Sequence, residues 1–308
     1  MQWAGAASGS QEVVSLVAGR DIQSIRLFFI ENDYLEVETP YLIPDPAPEL
    51  HIDAVSAGEV FLHTSPELCM KRLIAAGYPK LFQICRCFRQ GERGQNHLPE
   101  FTILEWYRAG IDYRKLMDEV EEMISFVSHR LGFGESIRFQ GRAVALKRPW
   151  QRISVREAFR RYASMPLEST MDSGRFDEVM VQEIEPNLGV PKPTFLHDYP
   201  ASFAALARLK QDDPAYAERF ELYVAGLEVA NAFTELTDAH EQRQRFERER
   251  ERRQQQGKRV YPLPEKFLRS LHNMPHSAGI ALGVDRLVML FADQPSIDQV
   301  VSFTPEEL

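Results

Sequence analysis

Three acidic side chains recur at seven-residue spacing late in the chain: Glu221, Glu228 and Glu235. The segment Phe220–Asn231 around the first two reads as a hairpin turning at Ala225-Gly226. A two-residue loop there sets Tyr223 opposite Glu228 and leaves Glu221 diagonal to Glu228 on the same face. Two carboxylates so placed repel unless a cation sits between them. Mg²⁺ held through one or two carboxylates plus substrate phosphates suits that geometry. A pair of exposed strand glutamates would show the same spacing.

A second constellation runs from Phe88-Arg89-Gln90-Gly91-Glu92 to His97-Leu98-Pro99-Glu100-Phe101-Thr102-Ile103-Leu104-Glu105-Trp106-Tyr107. It reads as two strands joined by a charged loop, Gln90 to Asn96. Ordinary hairpin loops hold about 2–5 residues, and longer ones are commonly functional. Strand alternation puts Phe101, Ile103, Glu105 and Tyr107 on one face, and Glu100, Thr102, Leu104 and Trp106 on the other. Two aromatics and a carboxylate suit a pocket with a ring to stack on and polar groups to orient a ligand. The pattern equally describes a half-buried strand with Glu105 at its wet end.

Single residues add to this. Arg89 begins the loop, where a guanidinium fork suits phosphate oxygens or a surface ion pair. Arg286 falls in the first turn of an expected helix, where the helix dipole opposes a cation by roughly 0.3–1 kcal/mol. An anionic ligand would relieve that. Gly283 just before it would let a nucleotide approach the backbone closely. Glu67 has a local explanation, since Thr64-Ser65-Pro66-Glu67 reads as a capping box that opens a helix.

The elements that must position these groups follow from periodicity. Helices are expected over Gln11–Asn32, from Ser65 to near Gly77, and over Tyr113–Leu131, Arg152–Tyr162, Ala239–Gly257 and Val284–Phe291. Strands are expected at Tyr34–Pro40, Val60–His63, Thr194–Leu196, Gly279–Leu282 and Gln299–Phe303, besides those above. Residues 163–191 are weakly patterned. Signs alternate along Ala239–Gly257, which favours a solvated helical face over a nucleic-acid arm. The expected class is α+β, a mostly antiparallel sheet flanked by helices, in one domain over residues 1–308.

Composition narrows the function. Hydrophobic residues make up 44% and charged residues 26%, typical of a soluble globular protein. A net charge of −9 disfavours broad electrostatic attraction to nucleic acid. No apolar run approaches the roughly 18 residues of a membrane span. Met1–Ser10 lacks a basic start followed by an apolar stretch, so a cytoplasmic location is expected. Cys85 and Cys87 share a strand face, and no further Cys lies near in sequence to complete a zinc site. With Cys69 they read as reduced thiols packed as small apolar groups.

Together these stretches resemble the catalytic core of a class II aminoacyl-tRNA synthetase of the lysyl branch, over nearly the whole chain. Leu35–Pro40 resembles motif 1, Phe88–Tyr107 motif 2 and Gly279–Arg286 motif 3; Glu228–Asp238 resembles the lysyl-specific segment before motif 3. The resemblance implies ATP and Mg²⁺. Arg89 would bind the α-phosphate and the substrate carboxylate. Phe101 and Arg286 would sandwich the adenine, with Arg286 reaching the γ-phosphate. Glu92, His97, Val229 and Gly283 would line the nucleotide site, and Glu221 and Glu228 would hold Mg²⁺. Glu67 would take the amine near the carboxyl group, Asn231 the carboxylate, and Tyr107 and Glu235 the terminal ammonium. Ser65 and Ala281 would complete the amino-acid pocket.

Two positions depart from that pattern. Gly91 stands where motif 2 usually has Glu, and Glu92 follows it. Leu98 stands where the lysyl branch usually has Asn, which removes a polar ATP contact. The anticodon-binding domain of lysyl synthetases is missing ahead of motif 1, so tRNA is not the expected acceptor. Ala281, where lysyl synthetases have Gly, matches the core-only elongation factor P (R)-β-lysine ligase family. That family implies lysine or (R)-β-lysine as substrate, elongation factor P as acceptor, and a homodimer with Pro40 at its interface. Three alternatives stay open: a truncated synthetase charging tRNA, an amidating enzyme like asparagine synthetase, and a non-catalytic regulatory binder.

Overall fold

The computed structural model describes residues 9–308. Residues 1–8 and the side chains of residues 9–13, 15 and 16, Val13 and Leu16 among them, lie outside the described residues. In chain order the strands are β1 (Leu35–Glu36), β2 (Leu42–Ile43), β3 (Ser56–Ala57), β4 (Val60–Leu62), β5 (Lys80–Phe88), β6 (Glu100–Ala109) and β7 (Ser136–Phe139). They continue as β8 (Arg142–Ala145), β9 (Gln151–Ser154), β10 (Thr194–Pro200), β11 (Tyr216–Val224), β12 (Leu227–Thr234) and β13 (Ser277–Gly283). The helices are α1 (Gly9–Glu31), α2 (Glu67–Ala75), α3 (Tyr113–Arg130), α4 (Val155–Tyr162) and α5 (Leu167–Asp172). After them come α6 (Phe176–Val179), α7 (Ala239–Gln255), α8 (Glu265–Ser270) and α9 (Val284–Phe291).

Eight strands form the main sheet, in spatial order β1-β5-β6-β13-β12-β11-β10-β9. The end pairs β1/β5 and β9/β10 are parallel, and every inner pair is antiparallel. The expected α+β class, with a mostly antiparallel sheet and flanking helices, is what forms. Alternation along β6 decides which face is the core. Leu104 and Trp106 are fully buried. The Trp106 ring lies 5.1 Å from Phe29, which stacks on Phe82 at 4.8 Å. Each such ring contributes roughly 1.5–3 kcal/mol by leaving water. Helix α3 completes this layer with Leu116, Val120, Met123 and Val127. Its N-cap Asp112 accepts hydrogen bonds from the amides of Arg114 and Lys115. On the opposite face, α2, α7 and α8 pack Met70, Ile74, Phe246 and Phe267 against Tyr107.

The hairpin β11–β12 turns at Ala225-Gly226 as expected, both residues at positive φ (+54° and +86°) as a type I′ turn requires. Among the described residues no helix is long and apolar enough to cross a membrane.

Several expectations need correction. The strand expected at Tyr34–Pro40 pairs only through Leu35–Glu36, at the edge of the sheet. Gln151–Ser154 is not helical: it adds to the far edge beside β10, and Ser154 then caps α4 through the Glu157 amide. Local pattern alone does not reveal an edge-strand partner. Residues 300–303 form no strand; a 3₁₀ turn at Ile297–Gln299 precedes them, its first amide bonded to the Gln95 carbonyl. No capping box opens α2. Pro66 is the N-cap and Glu67 the first helical residue, so the Glu67 carboxylate does not reach back to the cap. Helix α7 has the expected solvated face, and its other side is buried at Gln242, Phe246 and Arg253. Arg253 is fully buried and donates to the Glu49, Ile52 and Arg259 carbonyls and to Asp53.

Candidate active site

A cleft of about 270 Å³ opens on the face of the sheet that carries Phe101, Ile103, Glu105 and Tyr107. Its floor is β6, β13 and β12, and its ends are the β5–β6 loop and the start of α2. Of the residues expected in a site, Ser65, Glu67, Arg89, Glu92, His97, Phe101, Tyr107, Glu228, Val229, Asn231, Ala281, Gly283 and Arg286 line it. Glu221 and Glu235 stand behind the wall, each held by a cation of the protein.

One end is rich in guanidinium. Arg89 lies over the Phe101 ring at 4.9 Å, donates to the Thr64 carbonyl at 3.4 Å and sits 3.7 Å from Glu92. Without a ligand, the guanidinium over the Phe101 ring is that of Arg89. Arg286 crosses from α9 to the Glu228 carbonyl (2.8 Å) and carboxylate (3.3 Å), and donates to His97 Nε2 at 2.7 Å. Burial and the adjacent Arg286 hold the His97 ring below its usual range, so it stays a neutral acceptor. Asp285 accepts from the Thr102 amide at 2.7 Å and ties the start of α9 to β6. That bond holds the turn of α9 that carries Arg286.

The wall beside Arg286 holds a group of carboxylates. A bulge makes the β12 register useful here. Leu222 pairs with Ala230 but Tyr223 with Glu228, which leaves Val229 as the extra residue. Glu228 and Asn231 therefore share a face, and Asn231 lies directly opposite Glu221. Glu221 accepts from Arg219 (2.6 Å), Tyr199 (2.5 Å) and Tyr223 (2.7 Å). The Tyr223 hydroxyl also reaches Glu185 at 3.3 Å. Burial, then Glu221, raises the Glu228 carboxyl above its ordinary range. Burial, then Glu221 and Glu228, lifts Glu185 to about 7. Three carboxylates that repel one another in this way are a donor set that a hard divalent cation would relieve.

The other end is a dry acidic pocket. Glu105 is buried, accepting from Ser65 at 2.6 Å and from the Tyr107 hydroxyl at 2.8 Å. Burial, then repulsion from Glu67, lifts its carboxyl to about 8. Behind it, Lys71 Nζ lies 2.5 Å from both Glu67 and Glu235, and 4.8 Å over the Phe233 ring. Burial alone would lower the Lys71 pKa, but the two carboxylates at contact raise it, so the residue is an ammonium. Gly279 makes the packing possible. A Cβ there would meet the Tyr107 ring at 2.2 Å and Glu235 at 2.6 Å. Ala281 pairs with Glu105 on one side and Asn231 on the other, so its methyl group stands on the floor between them.

Sequence reasoning left out Lys71, Glu185, Arg219 and Asp285, and placed Glu105 on the pocket face without a role. Lys71 had a signal, four residues after Glu67 on one helix face. Arg219 had one too, two residues before Glu221 on the same strand face, whereas Asp285 had none, since its partner Thr102 comes from a distant strand.

The family described as tRNA synthetases class II (D, K and N) matches residues 13–307. A Salmonella gallinarum protein named elongation factor P–(R)-β-lysine ligase is 39% identical over 301 residues, 91% of each chain. A Proteus mirabilis protein of the same name is 38% identical over 299 residues, 92% of each chain. A floor of antiparallel strands, guanidinium at one end and buried carboxylate at the other agree with that likeness: the chain belongs to the class II tRNA synthetase family and, within it, to the elongation factor P–(R)-β-lysine ligases.

Proposed function

We propose that this chain activates (R)-β-lysine, or lysine, with ATP and transfers it to a lysine side chain of elongation factor P. The observation that carries this reading is the two-ended cleft, with Arg89 and Arg286 facing Glu105 across one floor. The amino acid's carboxylate oxygen attacks the α-phosphorus, the bond to the pyrophosphate oxygen breaks, and an aminoacyl-adenylate forms. The amine of the acceptor lysine then attacks the acyl carbon, AMP leaves, and the amine gives up a proton. Arg89 neutralises the α-phosphate and orients the carboxylate; Arg286 neutralises the leaving phosphates. Phe101 supplies the apolar face for adenine.

Glu228 and Glu221 would hold Mg²⁺, with Glu185 beside them, and the ion would supply further charge neutralisation on the phosphates. Glu221 already accepts three hydrogen bonds, which leaves Glu228 the more open ligand. Glu105 and Tyr107 receive the terminal ammonium, while Glu67 and Asn231 face the amine and carboxyl near the reacting centre. Glu235 supports that pocket through Lys71 instead of meeting substrate. A neutral side chain would leave Glu105 unpaired, which favours a cationic amino acid. The Ala281 methyl sets which amine position fits, a discrimination of roughly 1–3 kcal/mol. Ile30, Leu35 and Leu42, in the segments before and after Pro40, are exposed apolar side chains and support a homodimer through motif 1. We place the work in the cytoplasm, with elongation factor P favoured over tRNA as acceptor.

ATP–pyrophosphate exchange with (R)-β-lysine, α-lysine and ornithine tests the reading. Exchange is expected to favour (R)-β-lysine, and Ala281→Gly to narrow its lead over α-lysine about 10-fold or more. No exchange with any diamino acid would overturn it.

A further inference from the structure

Beside the cleft floor, on the same face of the sheet and on the β5 strand that leads into Arg89, lies a group of side chains that the proposed reaction does not use. A ring nitrogen of His63 and the sulfurs of Cys85 and Cys87 lie within 4.8 Å of one another. All three residues are buried, and both cysteines are free thiols. The His63 ring is held edge-on by Tyr41 and its Nε2 lies 2.7 Å from the Arg86 carbonyl. A carbonyl only accepts, so Nε2 carries the ring proton and Nδ1 keeps the lone pair. A backbone carbonyl fixing the tautomer in this way is a common arrangement behind a metal-bound histidine. The second observation is Gln83. It lies on the same β5 face, two residues before Cys85, is 1% exposed, and neither its Oε1 nor its Nε2 has a hydrogen-bond partner. An amide buried without partners is a polar group waiting for one.

We propose that His63, Cys85 and Cys87 form a site for a thiophilic divalent cation of the zinc class, with Gln83 Oε1 as the fourth donor. Zinc binds sulfur at about 2.3 Å and nitrogen at about 2.0–2.1 Å, so neighbouring donors around it stand about 3.5–3.8 Å apart. The observed spacing needs only a small contraction to meet that. Both sulfurs bind as thiolates, so each metal ion releases to solvent whatever thiol protons remain at the working pH, one or two of them. The site joins the end of β4, two residues before Ser65, to β5, two residues before Arg89. A bound ion would therefore brace one residue from each end of the cleft. Oxygen donors of the Glu221/Glu228 type suit hard cations, so the two sites select different metals.

The test uses the full chain, reduced and stripped of metal by dialysis against a chelator, then titrated with Co²⁺ alone. One equivalent is expected to give a sulfur-to-cobalt charge-transfer band and the visible bands of a tetrahedral ion, with Zn²⁺ displacing it. Cys87→Ser and His63→Gln are expected to lose those bands, and Cys69→Ser to keep them. Only the weak spectrum of oxygen-bound cobalt, or bands surviving in Cys85→Ser, would overturn the proposal. Should the variants not fold, proton release by the unaltered chain in weak buffer decides. One or two protons per zinc support the site, and none refutes it.

Discussion

The two ends of the cleft handle charge in opposite ways. At the guanidinium end the charges stand partly in water: the side chains of Arg89 and Glu92 are 24% and 26% exposed, and those of Arg286 and Glu228 16% and 39%. At the acidic end Lys71 and Glu235 are 2% and 1% exposed and Glu105 is buried. Solvent screens the first set, so its pairings are worth roughly 0–1 kcal/mol each and can be exchanged for a ligand's phosphates. Nothing screens the second set, where an unpaired charge costs several kcal/mol. The open end is thus built to trade partners during a reaction, and the closed end to demand a cation and reject anything else.

The sharpest way to break this contrast is Lys71→Met. It leaves Glu67 and Glu235 without their shared ammonium, and a loss of about 3–5 kcal/mol is expected in urea or thermal unfolding. A loss below about 1 kcal/mol would show the acidic end to be better hydrated than it looks. Next comes Arg286→Ala, expected to lower pyrophosphate exchange about 10²–10³-fold while the thermal midpoint hardly moves. A large fall in the midpoint instead would make Arg286 a structural strut between α9 and β12. Glu105→Gln should lower kcat/KM for the diamino acid by about 1.5–3 kcal/mol equivalent and weaken its preference over neutral amino acids. Unchanged selectivity would move the ammonium-binding role back to Glu235.

The smallest effect is in pH. Burial lifts the Glu105 carboxyl from its ordinary 4.5 to about 8, so the ligand-free protein holds a proton there at neutral pH. An ammonium substrate needs the ionised form. The kcat/KM for the amino acid should therefore rise about 10-fold between pH 7 and pH 9 and level off, with no such rise in Glu105→Gln. The sign for stability is opposite. A raised folded-state value means the native state holds protons the unfolded chain has lost, so this group's contribution to stability falls from pH 4.5 to about 8. A flat kcat/KM profile across that window would show that Glu105 is already ionised and the acidic end less dry than its burial implies.

Much of this site is legible before any coordinates. The face shared by Phe101, Glu105 and Tyr107, the turn at Ala225-Gly226 and the Gly283 entrance to α9 all follow from spacing along a single element. Arg152–Ser154 reads as part of a helix because strand pairing to β10 is invisible in a short polar segment. The capping box fails because Pro66 moves the start of α2, and the Glu67 carboxylate then has Lys71 to meet.

What the residues by themselves determined is which side chains stand on a common face and which charges the site must contain, because alternation and helical spacing are local properties of the chain. What only the tertiary structure decided is which charge answers which. The Val229 bulge turns Glu228 and Asn231 to one side, and α2 brings Lys71 to Glu235 just past the end of β12. The physical reason is that a buried charge takes whichever partner packing delivers within contact distance, and packing joins segments far apart in sequence.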